Sequence, residues 1–532
     1  MVRFNYETEY NEDAPFSERL SAFTGIKKEN LVYEIRKKSI DARKKNIKFV
    51  YTVDILGAKD EKALAKRVKG NIIEAETEYV FPKASREKGL PPVIAGFGPA
   101  GIFSALMLAR AGYDPIVVER GKDVDSRKID VDKFFESGIL DENSNIQYGE
   151  GGAGAFSDGK LNTLIKDKSF RGSFVLKELV KAGAPEEIKY IAKPHVGTDL
   201  LRDVVKNIRK EIISLGGEIR FETKLTDIKT ENGKISAVVT DKGEIKTDTL
   251  FLAVGQSSRE LTEMLYSLGA NIEKKPFSVG FRVEHPQNLI NISQYGENAD
   301  MRFLPPAEYK LFTHTKNGRT VYSFCMCPGG HVIAAASENG KLVTNGMSYH
   351  SRDGVNANAA ILCEVLPEDL KGGIFSGFDF RDEIEKRAFS LGGNNFKAPC
   401  MRLGDYLGDA ENDNQKVTPT YPIGVNYVDF SSLFPKEMND SFKEAFKDFG
   451  KKIKGFDSPS ALITAVESRT SSPVRILRDD DRQSNIKGLY PLGEGAGYAG
   501  GIMSAAIDGL HSSEMYVANR CGADRTKNAE VL

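Results

Sequence analysis

Five cysteines in 532 residues are too few for a disulfide scaffold. No apolar run approaches about 18 residues, which excludes a membrane-spanning helix. Neither sign of charge dominates. The 74 basic side chains are matched by 75 acidic ones, a net charge of −1, so no global field favours nucleic acid or an acidic membrane. The start, MVRFNYETEYNEDAPF, has neither a basic lead nor an apolar core, so no secretory signal is expected. The chain shows no internal repeat and no low-complexity tract. A cytoplasmic protein without a membrane partner is the plain expectation. What remains is an ordinary globular composition, 40% hydrophobic and 28% charged, long enough for two or three domains.

The chain is organised around residues 93–121, VIAGFGPAGIFSALMLARAGYDPIVVERG. Val93, Ile94 and Ala95 suit a buried parallel strand. Gly96, Gly98 and Gly101 follow in G-x-G-x-x-G spacing. The first allows a sharp turn, the second lets a pyrophosphate reach the backbone, and the third lets the helix pack on the strand. The helix opens near Pro99 with its positive end toward that anion. A second apolar strand then delivers Glu119, placed to accept ribose hydroxyls. The pattern recurs at Gly149-x-Gly151-x-x-Gly154 and at Gly495-x-Gly497-x-x-Gly500, but only the first match sits in a full strand–helix–strand unit with an acid.

Residues 1–90 read as a separate small domain. Strands are expected at 2–9, 32–40, 47–56 and 72–81, and helices at 15–25 and 60–69, the order of a ferredoxin-like α+β unit. A basic cluster over 27–48 includes Lys27, Lys28, Arg36, Lys37, Lys38, Arg43, Lys44, Lys45 and Lys48. It reads either as an RNA-binding surface or as the solvated face of a sheet. Residues 82–92 read as a linker.

Past the dinucleotide unit, a helix is expected around 132–137, with Arg127 a candidate diphosphate partner. The loop 146–163, IQYGEGGAGAFSDGKLNT, is rich enough in glycine for its backbone to contact a ligand, Gly151, Gly152 and Ala153 included. Helices are expected at 174–182 and 198–215, the latter capped by Thr198 or Asp199. His195 reads as an acid–base candidate or a structural histidine. A buried strand at 250–255 ends on Gly255.

Residues 276–454 read as mostly strands and turns, a β-rich domain inserted into the first. Within it, Cys325-x-Cys327 places two sulfurs on one face of a strand. They read as a redox or metal pair, or as two small packing residues. His331, His350 and Arg352 are further candidates to line a substrate site. Residues 455–532 return to the nucleotide domain, where 488–510 gives a strand, a glycine loop and a helix. Glu494 stands at that strand's end. The resulting fold class is α/β, a Rossmann-like dinucleotide-binding domain over 91–275 and 455–532 with the insertion at 276–454.

Several stretches together resemble one family: GFGPAG at 96–101, QYGEGGAGAFSDGKL at 147–161, YSFCMCPGG at 322–330, NGMSYHSRDG at 345–354, ESRTSSPVRI at 467–476 and GEGAGYAGGI at 493–502. The chain resembles the two-dinucleotide-binding-domain flavoproteins, in particular the bacterial uncharacterised FAD-dependent, or NAD/FAD-utilising, dehydrogenases. The resemblance implies FAD as cofactor. Its diphosphate would lie on Gly96, Gly98, Pro99, Ala100 and Gly101, its ribose at Glu119, and its adenine at the backbone of Leu225, with Arg120 a further cofactor contact. Gly255, Gly493 and Glu494 would meet the middle of the molecule. Gly500, Gly501 and Ile502 would offer N–H groups to the flavin pyrimidine edge. The second nicotinamide-binding unit and the CxxxxC or CxxC of disulfide reductases are missing, so either NAD(P)H would visit the flavin as a transient reductant or a substrate would supply the hydride. The expected activity is FAD-dependent hydride exchange between flavin N5 and a small-molecule substrate, with no metal. The alternative is an FAD-containing binding or redox-sensing protein whose basic N-terminal domain contacts RNA or a protein partner.

Overall fold

The computed structural model describes residues 1–43, 46–74, 78–82, 89–163, 165, 167–409 and 417–521. Most of the expected linker at 82–92 and Lys44 and Lys45 of the basic cluster lie outside them.

In the first 74 residues, alternating apolar residues on Val2–Glu9 bury Val2, Phe4 and Tyr6 against helices Phe16–Thr24 and Glu61–Val68. The sheet is antiparallel, in the order Val32–Asp41, Lys48–Leu56, Val2–Glu9, Asn71–Ile72. The last strand is shorter than the expected 72–81. Residues 75–77 of that expectation lie outside the described residues. This unit joins the rest of the chain through backbone bonds: Lys38 N–H donates to Tyr190 O at 2.7 Å, and Ala192 N–H to Lys38 O at 2.8 Å.

The central sheet has five parallel strands of three residues each. In spatial order they are Leu489–Pro491, Leu250–Leu252, Val93–Ala95, Ile116–Val118 and Glu218–Arg220. Val93, Ile94, Ala95, Leu250 and Phe251 are buried on both faces, the pattern of an interior parallel strand. Numbered along the chain, the order is 3-2-1-4-5. The direction of winding therefore reverses between Val93–Ala95 and Leu250–Leu252. A crevice opens beyond the C-terminal ends of strands at such a switch point.

Helices Pro99–Arg110 and Ile502–Cys521 pack on this sheet. They touch through Gly509, where a Cβ would overlap the Ala100 carbonyl, and Ser104 Oγ donates to Gly509 O at 3.1 Å. Tyr113 and Tyr516 meet further along. The contacts advance in the same direction on both, so the helices run parallel. The second begins about six residues, or roughly 9 Å, ahead of the first.

The segment after 276 builds a seven-stranded sheet in the order Phe312–His314, Thr320–Cys327, Asn356–Val365, Phe277–Pro286, Leu462–Glu467, Ala398–Arg402, Val425–Tyr427. Strand Leu462–Glu467 lies beyond the boundary expected at 454, yet it pairs in the middle of this sheet. The expectation of mostly strands and turns misses helices Ser376–Leu391 and Lys436–Lys452. The second turns Met438, Phe442, Ala445, Phe446 and Phe449 into the sheet's core.

Among the described residues no helix is long and apolar enough to cross a membrane.

Candidate functional site

A cavity of about 820 Å³ runs along the switch point and reaches the inserted sheet. That volume lies in the range of small-molecule and cofactor sites. At one end it is lined by Gly96–Ala100, Glu119, Arg120 and Leu225. In the middle come Gly152, Ala153, Gly255, Gly493 and Glu494, and beyond them Gly500, Gly501 and Ile502.

The three glycines of the first loop do three different things. Gly96 has φ +95°, and a Cβ there would overlap the Ala253 carbonyl. At Gly101 a Cβ would overlap the Gly96 carbonyl oxygen, so this residue packs helix on strand and does not line the cavity. Gly98 is open: its Cβ would meet nothing closer than Gly152 Cα at 3.7 Å, and it faces the cavity. Bare backbone at the start of a twelve-residue helix is a cradle for a diphosphate.

Glu119 is buried and holds three loops together. Its Oε2 accepts from Phe97 N–H at 2.7 Å, and its Oε1 from Gly121 N–H at 2.9 Å and Gly149 N–H at 2.8 Å. A carboxylate has about four acceptor positions, so one remains for a ribose hydroxyl. Arg120 lies over the Tyr148 ring at 4.2 Å and donates to Asn143.

Arg127, expected as a diphosphate partner, does not line the cavity. It is fully buried, away from the cavity, and its guanidinium donates to the carbonyls of Asn145, Ile146, Gly149, Glu150 and Gly152 at 2.6–3.2 Å. Burial pulls its pKa down to about 10, which leaves it charged at neutral pH. It shapes the glycine loop from behind. Gly151 also turns away, donating to Phe97 O at 2.8 Å, and does not line the cavity.

At the far end, Gly500 N–H donates to Ser504 Oγ at 3.1 Å. Gly501 and Ile502 line the cavity at the opening of the twenty-residue helix. Asp508 fixes this loop, accepting from Gly493 N–H at 2.8 Å and pairing with Arg478, which stacks on Tyr498 at 3.7 Å. Glu494 accepts from Gln256 Nε2 at 3.2 Å. Burial raises its pKa to about 7, against the pull of Arg381 and Lys275.

The four expected acid–base candidates fall outside the cavity. His195 contacts the carbonyl of His350, and their rings stack at 5.3 Å. Burial holds His195 near pKa 4, so it is neutral. Arg352 forms a bidentate pair with buried Asp158 at 3.0 and 2.5 Å. His331 packs on Tyr349. Nor does Thr198 or Asp199 cap its helix. Thr198 Oγ1 donates to Ala155 O, and Asp199 Oδ1 accepts from His350 N–H.

The cavity wall instead carries Asp158, Lys160, Cys325, Asn345 and Glu467. Glu467 forms a buried bidentate pair with Arg282 at 2.6 and 2.8 Å, and Arg282 also holds Asn345 Oδ1 at 2.8 Å. Lys160 Nζ lies 3.4 Å from Asp158 and has no hydrogen-bond partner. Two signals in the sequence point here: Ser-Asp-Gly-Lys inside the glycine loop, and a single arginine in the apolar strand FSVGFRVEH.

In the N-terminal unit, Lys28, Arg36, Arg43 and Lys48 pair with Glu18, Asp54, Asp41 and Glu7. Lys38 lies over the Phe49 ring at 4.5 Å.

Bare glycine backbone at two helix starts, an acid at the second strand's end and a long switch-point cavity define a dinucleotide-binding site of flavoprotein type. Residues 276–470 match the family model described as FAD-dependent protein, C-terminal domain-like, and residues 2–56 match a domain of unknown function. An uncharacterized protein of Clostridium beijerinckii is 50% identical over 489 residues, covering 90% of this chain and 91% of the relative. The chain belongs to this family of FAD-dependent proteins. Among solved structures it is similar to CtdE in complex with FAD, at 12% identity over 84% of this chain and 91% of that one, TM-score 0.34. It is also similar to halogenase PltM with phloroglucinol and FAD, at 12% identity over 83% and 72%, TM-score 0.37. Glycine oxidase from Bacillus cereus aligns at 12% identity over 81% and 95%, TM-score 0.30. Similarity at these scores carries no argument about the reaction.

Proposed function

We propose that this protein is an FAD-dependent oxidoreductase of the cytoplasm that exchanges two electrons with a small substrate held between the parallel sheet and the inserted one. The observation that carries the reading is a single cavity joining two helix starts to a wall of ionisable groups from the second sheet. FAD, when bound, supplies reversible two-electron chemistry at its ring.

The chain's own residues bind, orient and tune. Gly98 gives the diphosphate its approach, and the positive end of helix Pro99–Arg110 favours its charge. Glu119 takes one ribose hydroxyl. Gly501 and Ile502 stand at a second positive helix end, which would favour negative charge on a ring held there. Glu494, with its pKa near 7, is protonated in part at neutral pH and can donate as well as accept toward the middle of the cofactor. On the substrate side, the charge of Lys160 is balanced by Asp158 and that of Glu467 by Arg282 behind it.

The strand order 3-2-1-4-5 supports a Rossmann-like reading of the central domain. The sheet order of the first 74 residues supports a ferredoxin-like reading of the N-terminal one. A nicotinamide cofactor acts in this account as a transient reductant. The ion pairs within the basic cluster weigh against the RNA-binding reading.

Anaerobic mixing of the yellow protein with NADH or NADPH tests the proposal. Bleaching of the flavin colour, restored by an electron acceptor, is the expected result. A protein that stays colourless with added FAD would end it.

A further inference from the structure

Two thiols sit at the substrate end of the cavity. Strand Thr320–Cys327 pairs with Asn356–Val365 as far as Phe324, then slips register before Cys327. At the slip Cys325 takes φ +42°, a left-handed conformation that is costly for a residue with a Cβ. Arg282 holds it there, donating to the Cys325 carbonyl at 2.8 Å. The bulge turns the Cys325 side chain out of the ladder and into the cavity wall. Cys327 is fully buried behind it, and its thiol donates back to the Cys325 carbonyl at 3.3 Å.

The charges around the pair are arranged for one sulfur. The neighbouring Cys327 thiol lowers the Cys325 pKa to about 5 against burial, with help from Arg282 and Lys160. Cys327 is pushed well up by its nearness to Cys325 and by burial. Lys160 has no hydrogen-bond partner, and the charges of Asp158, Cys327 and Cys325 outweigh burial to keep it an ammonium. Glu494 is close enough to sense Cys325. The buried Cys363 and Cys400 behave oppositely, with burial raising each to about 12.

We propose that Cys325 is the nucleophile of a Cys325–Cys327 dithiol that reduces a disulfide substrate at the inner end of the cavity. This deepens the oxidoreductase reading by naming its substrate class, and rests on it for turnover. The Cys325 thiolate attacks one sulfur of R–S–S–R′. The Cys325–S–S–R bond forms, and R′S⁻ leaves and takes a proton from water. Cys327 gives its proton to solvent and attacks Cys325 Sγ, and RS⁻ leaves and is protonated. The substrate gains two electrons and two protons; the protein forms one disulfide. A nicotinamide-class reductant would return the two electrons, FAD, when bound, supplying the two-electron chemistry. Lys160 and Arg282 are positioning residues that hold the attacking sulfur as thiolate.

The test treats FAD-loaded protein with a symmetrical aromatic disulfide and reads the products by peptide mass. Wild type is expected to release two thiols per chain and lose two hydrogens across Cys325 and Cys327. Cys327→Ser is expected to stop at a mixed disulfide on Cys325 with one thiol released. At pH 6 an ordinary thiol is about 0.3% thiolate and Cys325 mostly so. After allowing for its lower intrinsic nucleophilicity, Cys325 is expected to react about tenfold faster. Its rate should be nearly flat from pH 6 to 8, and Lys160→Met should restore a rise with pH. A protein that binds FAD but modifies Cys325 no faster than an ordinary thiol, or only alongside Cys363 and Cys400, overturns this inference and leaves the cofactor reading intact. Formation of the Cys325–Cys327 disulfide by a protein that cannot take up FAD would uphold the thiol chemistry and overturn the cofactor reading.

Discussion

Replacing Glu494 with glutamine removes a carboxyl group whose pKa stands at about 7 instead of the ordinary 4.5. The cause is burial, which Arg381 and Lys275 only partly offset. In the unfolded chain this group ionises near its ordinary value. Below that pH both states hold the proton and the site costs nothing. Between 4.5 and 7 the unfolded chain sheds a proton that the folded chain keeps, so stability falls as pH rises, and above 7 the loss is complete. A shift of about 2.5 units corresponds to at most about 3 kcal/mol, and solvent reaching this half-buried group reduces that to about 2 kcal/mol. Glutamine carries no titrating proton. FAD-free Glu494→Gln should therefore match wild type in melting temperature near pH 4. It should melt progressively higher than wild type up to pH 7 and keep a constant advantage at pH 8. Thermal melts of both proteins across that range decide it. A difference independent of pH, or one that favours wild type above pH 7, would refute the reasoning about this carboxyl.

The loop glycines separate binding from folding. Gly98→Ala, whose Cβ has room, should leave the melting temperature of the FAD-free protein within a few degrees of wild type but abolish cofactor retention on gel filtration. Gly101→Ala should unfold or aggregate, because its Cβ overlaps the Gly96 carbonyl. Arg127→Lys offers three donors where five carbonyls are held, and each buried carbonyl left unpaired costs about 1–3 kcal/mol. Limited proteolysis should then cut within 145–152 while wild type resists. Arg282→Met leaves Glu467 buried without its partner and should destabilise by about 3–5 kcal/mol, read as a lower denaturation midpoint, with Arg282→Met/Glu467→Gln recovering part of the loss.

The nucleotide site was legible where its logic is local. A strand, a glycine turn, a helix and an acid fit within 29 contiguous residues, and each glycine's role follows from its offset. Arg127 reads as a ligand in the sequence because it follows a phosphate loop, but the fold turns it away from the cavity. Its true partners are backbone carbonyls, which no side-chain pattern reveals. His195, His350 and Arg352 were read as separate candidates, although the fold gathers them around Asp158 behind the wall. Strand Leu462–Glu467 joins the inserted sheet by non-local pairing, which sequence texture does not encode. Helix Lys436–Lys452 is a different case. Its apolar residues at 438, 442, 445, 446 and 449 have helical spacing and were readable, but the strand-like stretches before them set the expectation.

The central claim is that FAD lies across two helix starts, with its diphosphate on residues 96–101 and its ring near 501–502. Amide hydrogen exchange, with and without FAD, measures this directly. The account predicts slower exchange at both places and at 149–154 once FAD is added. Protection confined to the outer strands of the inserted sheet, with 96–101 and 501–502 unchanged, would contradict it.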